Sequence, residues 1–466
     1  MAMNPMDEKR TEESGTSPVG VCPMKASREV PHAGSVRLDR EDPAFLAVAH
    51  EAYERMRKQG PVVRASFGRG FSDDLLPDGD KPRTAKGEPG SERYFVTRYD
   101  EAVEALLDDR LSSDFRSTMT PEQRAQLPFM PEELKPIAYS LLMLDPPDHT
   151  RLRKLVQPNF TARAMETLRP RIQRIIDRLL DQAESEAAAR GESAPERRMD
   201  LLPAFAYPMP IAVISDMLGI PEEDRAQVHT WAENLLSAEG PSIGDEQRRG
   251  VLREFIRYLE GLFERKRRAP GEDMISQMAH FQEDGDKLSP QEMMSMVFIL
   301  FFAGHVTTVN LIGSGVVALL THPEQLERLL ADPSLVKGAV EETLRYWGPV
   351  DYMGTPRIVL KDMELAGCPI AQGEKLTVGL ASANRDPERF PNPDVFDITR
   401  PEAHRNIAFG KGIHVCIGAP LARMEAQLAF ETLFRRYPKM RLAVPAGELR
   451  LAATSLRGFD RVPIFF

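Results

Sequence analysis

The spacing of apolar residues predicts a chain that is mainly helical from about His149 onward. In the stretch 163–189 the apolar residues recur every three or four positions, which places them on one face of an α-helix. Further stretches with the same amphipathic spacing are predicted as helices: 100–108, 222–237, 246–267, 322–331, 335–346 and 422–434.

Short runs rich in β-forming residues predict a minor β portion. The runs at 62–65 and 94–97 are expected to form one hairpin-like unit, and further strands are predicted at 357–359, 363–365, 376–379, 440–443 and 462–465. Stretches rich in turn-forming residues, 68–91 and 384–400, are predicted as a long loop and a meander. We therefore expect a mainly α protein with a small β portion, in which a disordered polar leader (1–36) precedes a single domain (37–466).

The stretch 293–320 contains no Asp, Glu, Lys or Arg and has the length of a membrane span. It follows Ser289, Pro290 and Glu292, which together form a strong signal for the start of a helix. Small and hydrogen-bonding residues occupy its centre: Gly304, His305, Thr307, Thr308 and Asn310. Such residues suit a helix that is buried in protein better than one that faces lipid, so no membrane association is expected.

Charge and cysteine content narrow the possible functions. The formal net charge of −10 argues against nucleic-acid binding. The three cysteines, Cys22, Cys368 and Cys416, are far apart and odd in number. A disulfide framework is therefore not expected, and the chain is predicted to work in a reducing cytoplasm.

Cys416 stands in the segment that carries the most chemical information. It shortly precedes a predicted helix and is framed by Gly410, Gly412 and Gly418. Glycines permit tight turns and let the backbone approach a large planar group, and the N-terminus of a following helix stabilises a thiolate. A thiolate in such a setting suits a haem iron.

Other interpretations of Cys416 compete with that of a haem ligand. A lone cysteine is most often a small buried hydrophobic residue. A zinc site would need partners, but no Cys-x-x-Cys pair occurs and the spacing of His404 and His414 fits no common zinc pattern. A Cys–His nucleophile would have to use His414, which is only two residues away. The glycine framing favours the haem ligand.

The segment FGKGIHVCIG at 409–418 resembles the haem-binding loop of the cytochrome P-450 family, which reads FGxGxHxCxG in its bacterial members. The resemblance continues through 419–423, and further family motifs bring its extent to residues 37–466. It implies the cytochrome P-450 fold as a single haem domain, with haem b (iron protoporphyrin IX) as the cofactor and Cys416 as the metal ligand. Phe409, Gly410 and Gly418 would contribute to haem binding.

Four residues match the positions that bind the haem propionates in this family. His149 and Arg153 are four residues apart and lie on one face of a predicted helix, Arg357 lies in a predicted strand, and His414 lies in the cysteine loop. Arginine is well suited to carboxylates. Taken singly, each of these residues could instead be a solvated surface cation.

Glu342 and Arg345, together with Arg400, resemble a buried Glu–Arg–Arg cluster that stabilises the haem loop in this family. On its own, a Glu and an Arg three residues apart usually form a surface ion pair. The resemblance implies a structural role, because loss of one partner would leave a buried charge without its counterion.

Ala303, Gly304, Thr307 and Thr308 match the oxygen-binding centre of the family's long central helix. The Thr307 hydroxyl can bond a carbonyl one turn back, and the family uses this local opening to hold O₂ and water. The acidic residue that usually precedes this threonine is replaced by Val306. We expect Thr307 and ordered water, with a substrate hydroxyl as a further candidate, to replace it in proton delivery; the alternative is that Thr307 is a back-bonded residue of the core.

By the same resemblance, six residues are expected to line the substrate pocket: Leu300, Val306, Val350, Tyr352, Met353 and Leu456. Their mostly apolar character suggests an apolar ligand. Asp351 and Arg457 lie next to these positions and could either orient the ligand or be exposed to solvent.

The function implied is NAD(P)H-driven monooxygenation of a small, largely apolar molecule of secondary-metabolite type. The sequence shows no flavin domain and no ferredoxin cysteine cluster, so a separate ferredoxin and an NAD(P)H-dependent ferredoxin reductase are expected as partners of a monomer. A basic face for the ferredoxin would comprise Lys411, Arg423, Arg151 and Lys154. Two alternatives remain: a haem-thiolate peroxygenase or dehydratase, which Val306 keeps open, and a non-catalytic haem or ligand sensor.

Overall fold

The computed structural model of the chain describes residues 32–68, 91–114, 116–117, 119–120, 122, 133, 135–236, 246–281, 287–454 and 456–466. Its α-helices are α1 (Pro43–Gln59), α2 (Tyr99–Leu107), α3 (Lys135–Ala138), α4 (Asp148–Val156), α5 (Ala162–Ala189), α6 (Pro208–Leu218), α7 (Arg225–Leu236), α8 (Glu246–Arg268), α9 (Met274–Ala279), α10 (Pro290–Thr321), α11 (Pro323–Ala331), α12 (Val336–Trp347), α13 (Leu380–Ala383) and α14 (Ala419–Arg436). Its strands are β1 (His32–Leu38), β2 (Val62–Phe67), β3 (Ser91–Val96), β4 (Leu111–Ser112), β5 (Arg198–Asp200), β6 (Arg357–Val359), β7 (Met363–Leu365), β8 (Cys368–Ile370), β9 (Lys375–Val378), β10 (Arg441–Leu442) and β11 (Pro463–Phe465). The prediction of a mainly α protein with a small β portion is confirmed.

The strands form three sheets. The largest has the order β1-β2-β3-β9-β6-β4, and the smaller ones have the orders β10-β11-β5 and β7-β8. Strands β2 and β3 pair antiparallel over their whole length, as the predicted hairpin-like unit requires, with Val62 opposite Val96. The predicted loop between them lies outside the described residues over 69–90.

The first strand begins inside the stretch 1–36 that is predicted as a leader. The part up to residue 31 lies outside the described residues, but residues 32–36 belong to strand β1. Strand β1 pairs in parallel with β2, where Arg37 and Leu38 lie opposite Ser66 and Phe67. A parallel partner from beyond the next helix cannot be recognised in a local sequence pattern.

Helix α10 passes through the main apolar core. Ser289 caps its N-terminus in the predicted capping box: the Ser289 hydroxyl accepts from the Glu292 N–H, and the Glu292 carboxylate accepts from the Ser289 N–H at 2.8 Å. Among the described residues this is the one helix long and apolar enough to cross a membrane, and 67% of its most apolar window is buried inside the protein. That degree of burial is typical of a core helix in a globular protein.

Helices α1, α6 and α9 and strands β5 and β8 were not individually predicted. In α1 the signal is present, because Phe45, Ala49, Ala52 and Met56 are buried and are spaced for one helix face. Strand β5 has three residues and is defined by pairing with β11 near the other end of the chain. Only tertiary structure brings those two segments together.

Candidate active site

The loop that carries Cys416 turns back on itself just before helix α14. The Cys416 N–H donates to the Phe409 carbonyl oxygen at 2.9 Å, and the Gly410 N–H donates to the Ile407 carbonyl oxygen at 2.8 Å. Gly410 and Gly412 have φ angles of 71° and 74°, which favour glycine. A Cβ atom on Gly412 would also collide with the carbonyl oxygen of Leu106 in α2. The loop therefore needs these glycines for its shape.

The Cys416 side chain is accessible although protein surrounds its thiol on nearly all sides. Burial raises the pKa of the Cys416 thiol, while the Gly418 N–H, the Arg153 guanidinium and the Ala419 N–H act in the opposite direction. The start of α14 and Arg153 thus favour a thiolate, and a cation bound at the sulfur would favour it further.

The structure brings together the four residues expected at the haem propionates. The rings of His149 and His414 are 4.3 Å apart between centroids, and the Ser113 hydroxyl lies 2.9 Å from His414 Nε2. Burial lowers the pKa of Arg357 to about 10. Burial, followed by the charges of Arg357, His149 and Arg153, lowers the pKa of His414 to about 3. Two guanidinium groups, those of Arg153 and Arg357, thus lie with two imidazoles around one buried region.

Several polar atoms in this region lack a hydrogen-bond partner among the residues that the structure describes. Both ring nitrogens of His149 and the Nη1 atom of Arg357 are buried without a hydrogen bond. Buried polar groups are nearly always hydrogen-bonded, so an unmatched guanidinium nitrogen beside an unmatched imidazole indicates a place for anionic, hydrogen-bond-accepting groups. The two propionates of a haem fit this requirement, and Cys416 supplies the thiol that an iron ligand needs.

Glu342, Arg345 and Arg400 form one cluster. The Arg345 guanidinium donates to both Glu342 oxygens at 2.8 Å, and Arg400 Nε donates to Glu342 Oε1 at 3.2 Å. Both arginines also donate to carbonyl oxygens of the meander, including those of Pro393 and Pro391. The cluster therefore ties helix α12 to the segment that leads into the cysteine loop.

The centre of helix α10 has an accessible face although the helix is otherwise buried. Ala303 is exposed there, and Gly304, Val306 and Thr307 are partly accessible. The Thr307 hydroxyl donates to the Ala303 carbonyl oxygen at 2.9 Å, and the Thr308 hydroxyl donates to the Gly304 carbonyl oxygen at 3.1 Å. Such bonds weaken the backbone ladder of the helix at this turn.

His305 faces away from this accessible side. It is buried against Tyr207, with the two ring centroids 5.6 Å apart. Burial lowers the pKa of His305 to about 3, and His229 adds to the effect. The imidazole is therefore neutral and is turned toward the helices beside α10.

Glu425 is a buried acid that the sequence analysis did not identify. It lies in α14, is 2% exposed and is hydrogen-bonded to Thr308. Burial raises the pKa of Glu425 to about 8, against the smaller effect of the Thr308 bond. A signal for it is present in the sequence, because Glu425 interrupts the apolar positions Leu421, Met424 and Leu428 on the buried face of a helix.

Two of the three chain segments expected at the substrate pocket are joined directly. The Arg457 N–H donates to the Pro349 carbonyl oxygen at 2.7 Å, so Leu456 lies close to the segment of Val350 and Met353. Gly458 packs so closely against Asn310 of helix α10 that a Cβ atom would collide with that side chain. Helix α10 contributes the other two expected residues, Leu300 and Val306.

The Tyr352 side chain packs against the largest sheet, and its place in the pocket stays a prediction. Its ring packs against Phe67 and Phe95 of the largest sheet, at centroid distances of 5.5 and 6.4 Å. Its hydroxyl donates to the Leu38 carbonyl oxygen at 3.3 Å. The side chain therefore packs against the apolar cluster of that sheet.

The expected basic face is partly neutralised by acidic neighbours. Arg423 forms an ion pair with Glu341 and lies over the Phe409 ring, and Arg151 forms an ion pair with Glu292. Lys411 and Lys154 are exposed. The surface therefore has a smaller excess of positive charge than the sequence suggested.

Comparison with known proteins identifies the family. Residues 246–440 match the family model for cytochrome P-450. The chain is 41% identical over 422 residues to the cytochrome P-450 monooxygenase PikC of Streptomyces venezuelae, a match that covers 90% of this chain and 91% of that one. The chain belongs to the cytochrome P-450 family. It is also 39% identical over 433 residues to the vitamin D(3) 25-hydroxylase of Pseudonocardia autotrophica, covering 92% and 97% of the two chains.

A solved structure supports the same assignment. The cytochrome P-450 PksS of the Bacillus subtilis bacillaene polyketide synthase superposes with a TM-score of 0.77 at 34% identity, covering 92% of this chain and 99% of that one. The predicted P-450 fold is confirmed. The chain is a bacterial-type P-450 monooxygenase, and haem b is the cofactor of this family.

Proposed function

We propose that this P-450 inserts one oxygen atom from O₂ into a small, largely apolar organic molecule of secondary-metabolite type. The observation that carries the proposal is the joint presence of an accessible thiol and of Arg357 and His149 nitrogens that have no hydrogen-bond partner among the described residues. The apolar residues at the expected pocket support an apolar substrate. Relatives named for polyketide biosynthesis and for hydroxylation of 6-deoxyerythronolide B support the substrate type.

We propose that Cys416 ligates the haem iron and that His149, Arg153, Arg357 and His414 bind the propionates. Phe409, Gly410 and Gly418 shape the loop against the haem. When bound, the haem supplies the binding and reductive activation of O₂, and a thiolate ligand favours cleavage of the O–O bond. Charge-assisted bonds to the propionates contribute about 1.5–3 kcal/mol each and orient the group.

The chain's own residues handle protons on the accessible side of α10. Val306 has no ionisable group, so it cannot deliver protons as the acidic residue that usually precedes the family's counterpart of Thr307 does. Thr307 donates to the Ala303 carbonyl oxygen and can accept from a water molecule on the accessible face. Ala303 and Gly304 leave room for that water because they have little or no side chain.

Glu425 holds a proton close to the same turn. Glu425 is hydrogen-bonded to Thr308, whose hydroxyl donates to the Gly304 carbonyl oxygen at 3.1 Å, so the carboxyl group lies beside this turn. A pKa of about 8 keeps that carboxyl protonated at neutral pH. The protein thus keeps an acid beside this turn, although the position of Val306 lacks one.

Electrons are proposed to come from NAD(P)H through a separate ferredoxin and a ferredoxin reductase, with this chain acting as a cytoplasmic monomer. The surface at the cysteine loop supports a protein partner. Ile413 and Leu107 are 50% and 57% exposed there, and Lys411 is exposed beside them. An apolar patch with a basic neighbour suits a docking protein of acidic character.

The proposal is tested by the reduced, CO-bound holoprotein and by turnover. Wild type should show the red-shifted Soret band of a thiolate ligand, and Cys416→Ala should lose it, whereas Cys368→Ala should retain it as a matched control. Retention of the band in Cys416→Ala would assign the ligand to another residue.

Product formation should then require NAD(P)H, a ferredoxin and its reductase. A peroxygenase would instead form product with hydrogen peroxide alone, and a sensor would form none with any compound that alters the Soret band. A screen of polyketide-like and fatty-acid compounds for Soret changes supplies the substrates for this comparison.

A further inference from the structure

A buried cluster of charged residues lies behind the expected pocket wall, and the proposed mechanism does not use it. The Asp351 carboxylate accepts from Arg457 Nε at 2.8 Å and from Arg457 Nη2 at 3.1 Å. Arg40 Nη1 lies 2.9 Å from Asp351 Oδ2, and the Tyr53 hydroxyl donates to the same oxygen at 3.1 Å. Asp351, Arg457 and Arg40 are each no more than 3% exposed.

The partners of Asp351 come from distant parts of the chain. Arg40 lies between β1 and α1, Tyr53 lies in α1, and Arg457 lies in the segment before β11. Asp351 itself stands between Val350 and Tyr352, and its carbonyl oxygen accepts from the Ala381 N–H at 2.8 Å. The carboxylate therefore joins the N-terminal region, the segment after α12 and the C-terminal segment at one point.

The geometry excludes the two roles that the sequence left open for this pair. Solvent exposure is excluded by its burial. Direct orientation of a ligand by Asp351 is excluded because its side chain is only 1% exposed and is enclosed by groups of this chain. The ion pair joins the segment that contains Val350 and Met353 to the segment that contains Leu456.

Two contacts beside this ion pair fix the position of the C-terminal segment. The Arg457 N–H donates to the Pro349 carbonyl oxygen, and Gly458 packs against Asn310 without room for a side chain. A buried ion pair adds little net stability compared with apolar residues of the same volume. Each partner must nevertheless keep its counterion, because a buried charge without one is strongly destabilising. The pair therefore determines the relative position of the two segments that carry Asp351 and Arg457. Three pocket walls are thereby held at fixed separations.

We propose that Asp351 and Arg457 are positioning residues that set the shape of the substrate pocket without touching the substrate. The inference rests on the proposed function, because it takes Val350, Met353 and Leu456 as pocket residues. Its consequence is that a change in this ion pair alters the selectivity for bulky ligands while haem binding and access to the iron stay unchanged.

The test uses two iron-binding probes of different size on the holoprotein. Imidazole reports access to the haem iron alone, whereas 4-phenylimidazole also places a phenyl group in the pocket. The variants are Asp351→Asn and Arg457→Lys. Arg457→Lys retains the charge and leaves no carboxylate without a counterion, but it loses the bidentate geometry of arginine.

In both variants we expect the dissociation constant of 4-phenylimidazole, followed by the Soret band, to rise about tenfold, which corresponds to about 1.4 kcal/mol. The dissociation constant of imidazole should change by less than about twofold. Glu184→Gln is the matched control, because Glu184 also pairs with two arginines and a tyrosine, namely Arg436, Arg197 and Tyr437, away from these pocket segments. In that control neither constant should change.

Equal changes for both probes, or no change for 4-phenylimidazole in Arg457→Lys, would overturn the inference. If Asp351→Asn does not retain haem, the dissociation constants measured with Arg457→Lys decide whether the inference holds. A failure of the proposed function is distinguishable, because it would remove the thiolate-type CO band from wild type, whereas a failure of this inference leaves that band intact.

Discussion

Glutamine in place of Glu425 should remove a pH dependence of stability that the protein owes to one buried carboxyl group. Glutamine has nearly the same volume, and its amide can keep a hydrogen bond to Thr308. The substitution therefore removes the ionisation and keeps the packing of α14 against α10.

The magnitude follows from the difference between the pKa values of the folded and unfolded chains. The ordinary pKa of the group is 4.5, and in the folded protein burial raises the pKa of Glu425 to about 8. Between these values the folded state retains a proton that the unfolded state has released, so the free energy of unfolding falls as the pH rises. Each pH unit in that interval removes about 1.4 kcal/mol, and the loss approaches about 5 kcal/mol at its upper end.

The assay is urea unfolding of the wild-type and Glu425→Gln holoproteins, followed by the fluorescence of Trp231 and Trp347. Relative to wild type, Glu425→Gln should gain about 3–5 kcal/mol of unfolding free energy between about pH 5 and about pH 8.5. A second measurement checks the protonation directly: the infrared carbonyl band of a protonated carboxylic acid should be present in wild type at neutral pH and absent from Glu425→Gln.

Glu184→Gln provides a control of opposite sign. Burial disfavours ionisation of Glu184, but hydrogen bonds from Tyr437 and Arg436 hold its pKa below the ordinary value. Its carboxylate therefore contributes stability above the unfolded pKa, and that contribution is lost as the pH falls through the folded pKa. A free-energy difference between wild type and Glu425→Gln that is constant over the whole pH range would refute the reasoning, because it would mean that Glu425 is ionised in the folded protein.

Three further predictions concern the haem and the oxygen side of the site. Replacing Arg153 and Arg357 together by Ala should accelerate transfer of haem to an acceptor protein, because two bonds of about 1.5–3 kcal/mol each are lost; unchanged transfer rates would contradict their assignment to the propionates. Thr307→Ala should lower the amount of product per NAD(P)H consumed and raise hydrogen peroxide formation, whereas Thr321→Ala, which removes an equivalent bond to the Val317 carbonyl oxygen at 2.8 Å, should not. Gly412→Ala should reduce the fraction of protein that retains haem, because its φ of 74° and its close contact with α2 leave no room for a Cβ atom; normal haem content would show that the loop can adopt another shape.

The sequence determined those parts of the protein that depend on local geometry. The cysteine loop, the capping box at Ser289 and the helix periodicity each follow from residues within a few positions of one another, because turns, caps and helix faces are formed by neighbouring residues. The resemblance of the loop to a known family then indicated the cofactor, and the fold and the family were confirmed. The same family resemblance indicated the cluster of Glu342, Arg345 and Arg400, and the structure brings these three residues together.

Tertiary structure alone decided which groups face one another. Glu425 has its raised pKa because α14 packs on α10 and encloses the carboxyl group, and Tyr352 points to the sheet because β1 and β3 lie behind it. Strand β1 and the partners of Asp351 likewise depend on contacts across most of the chain. Burial and pairing of charges arise from long-range packing, and a local pattern of residue types contains no information about the partner that packing will supply.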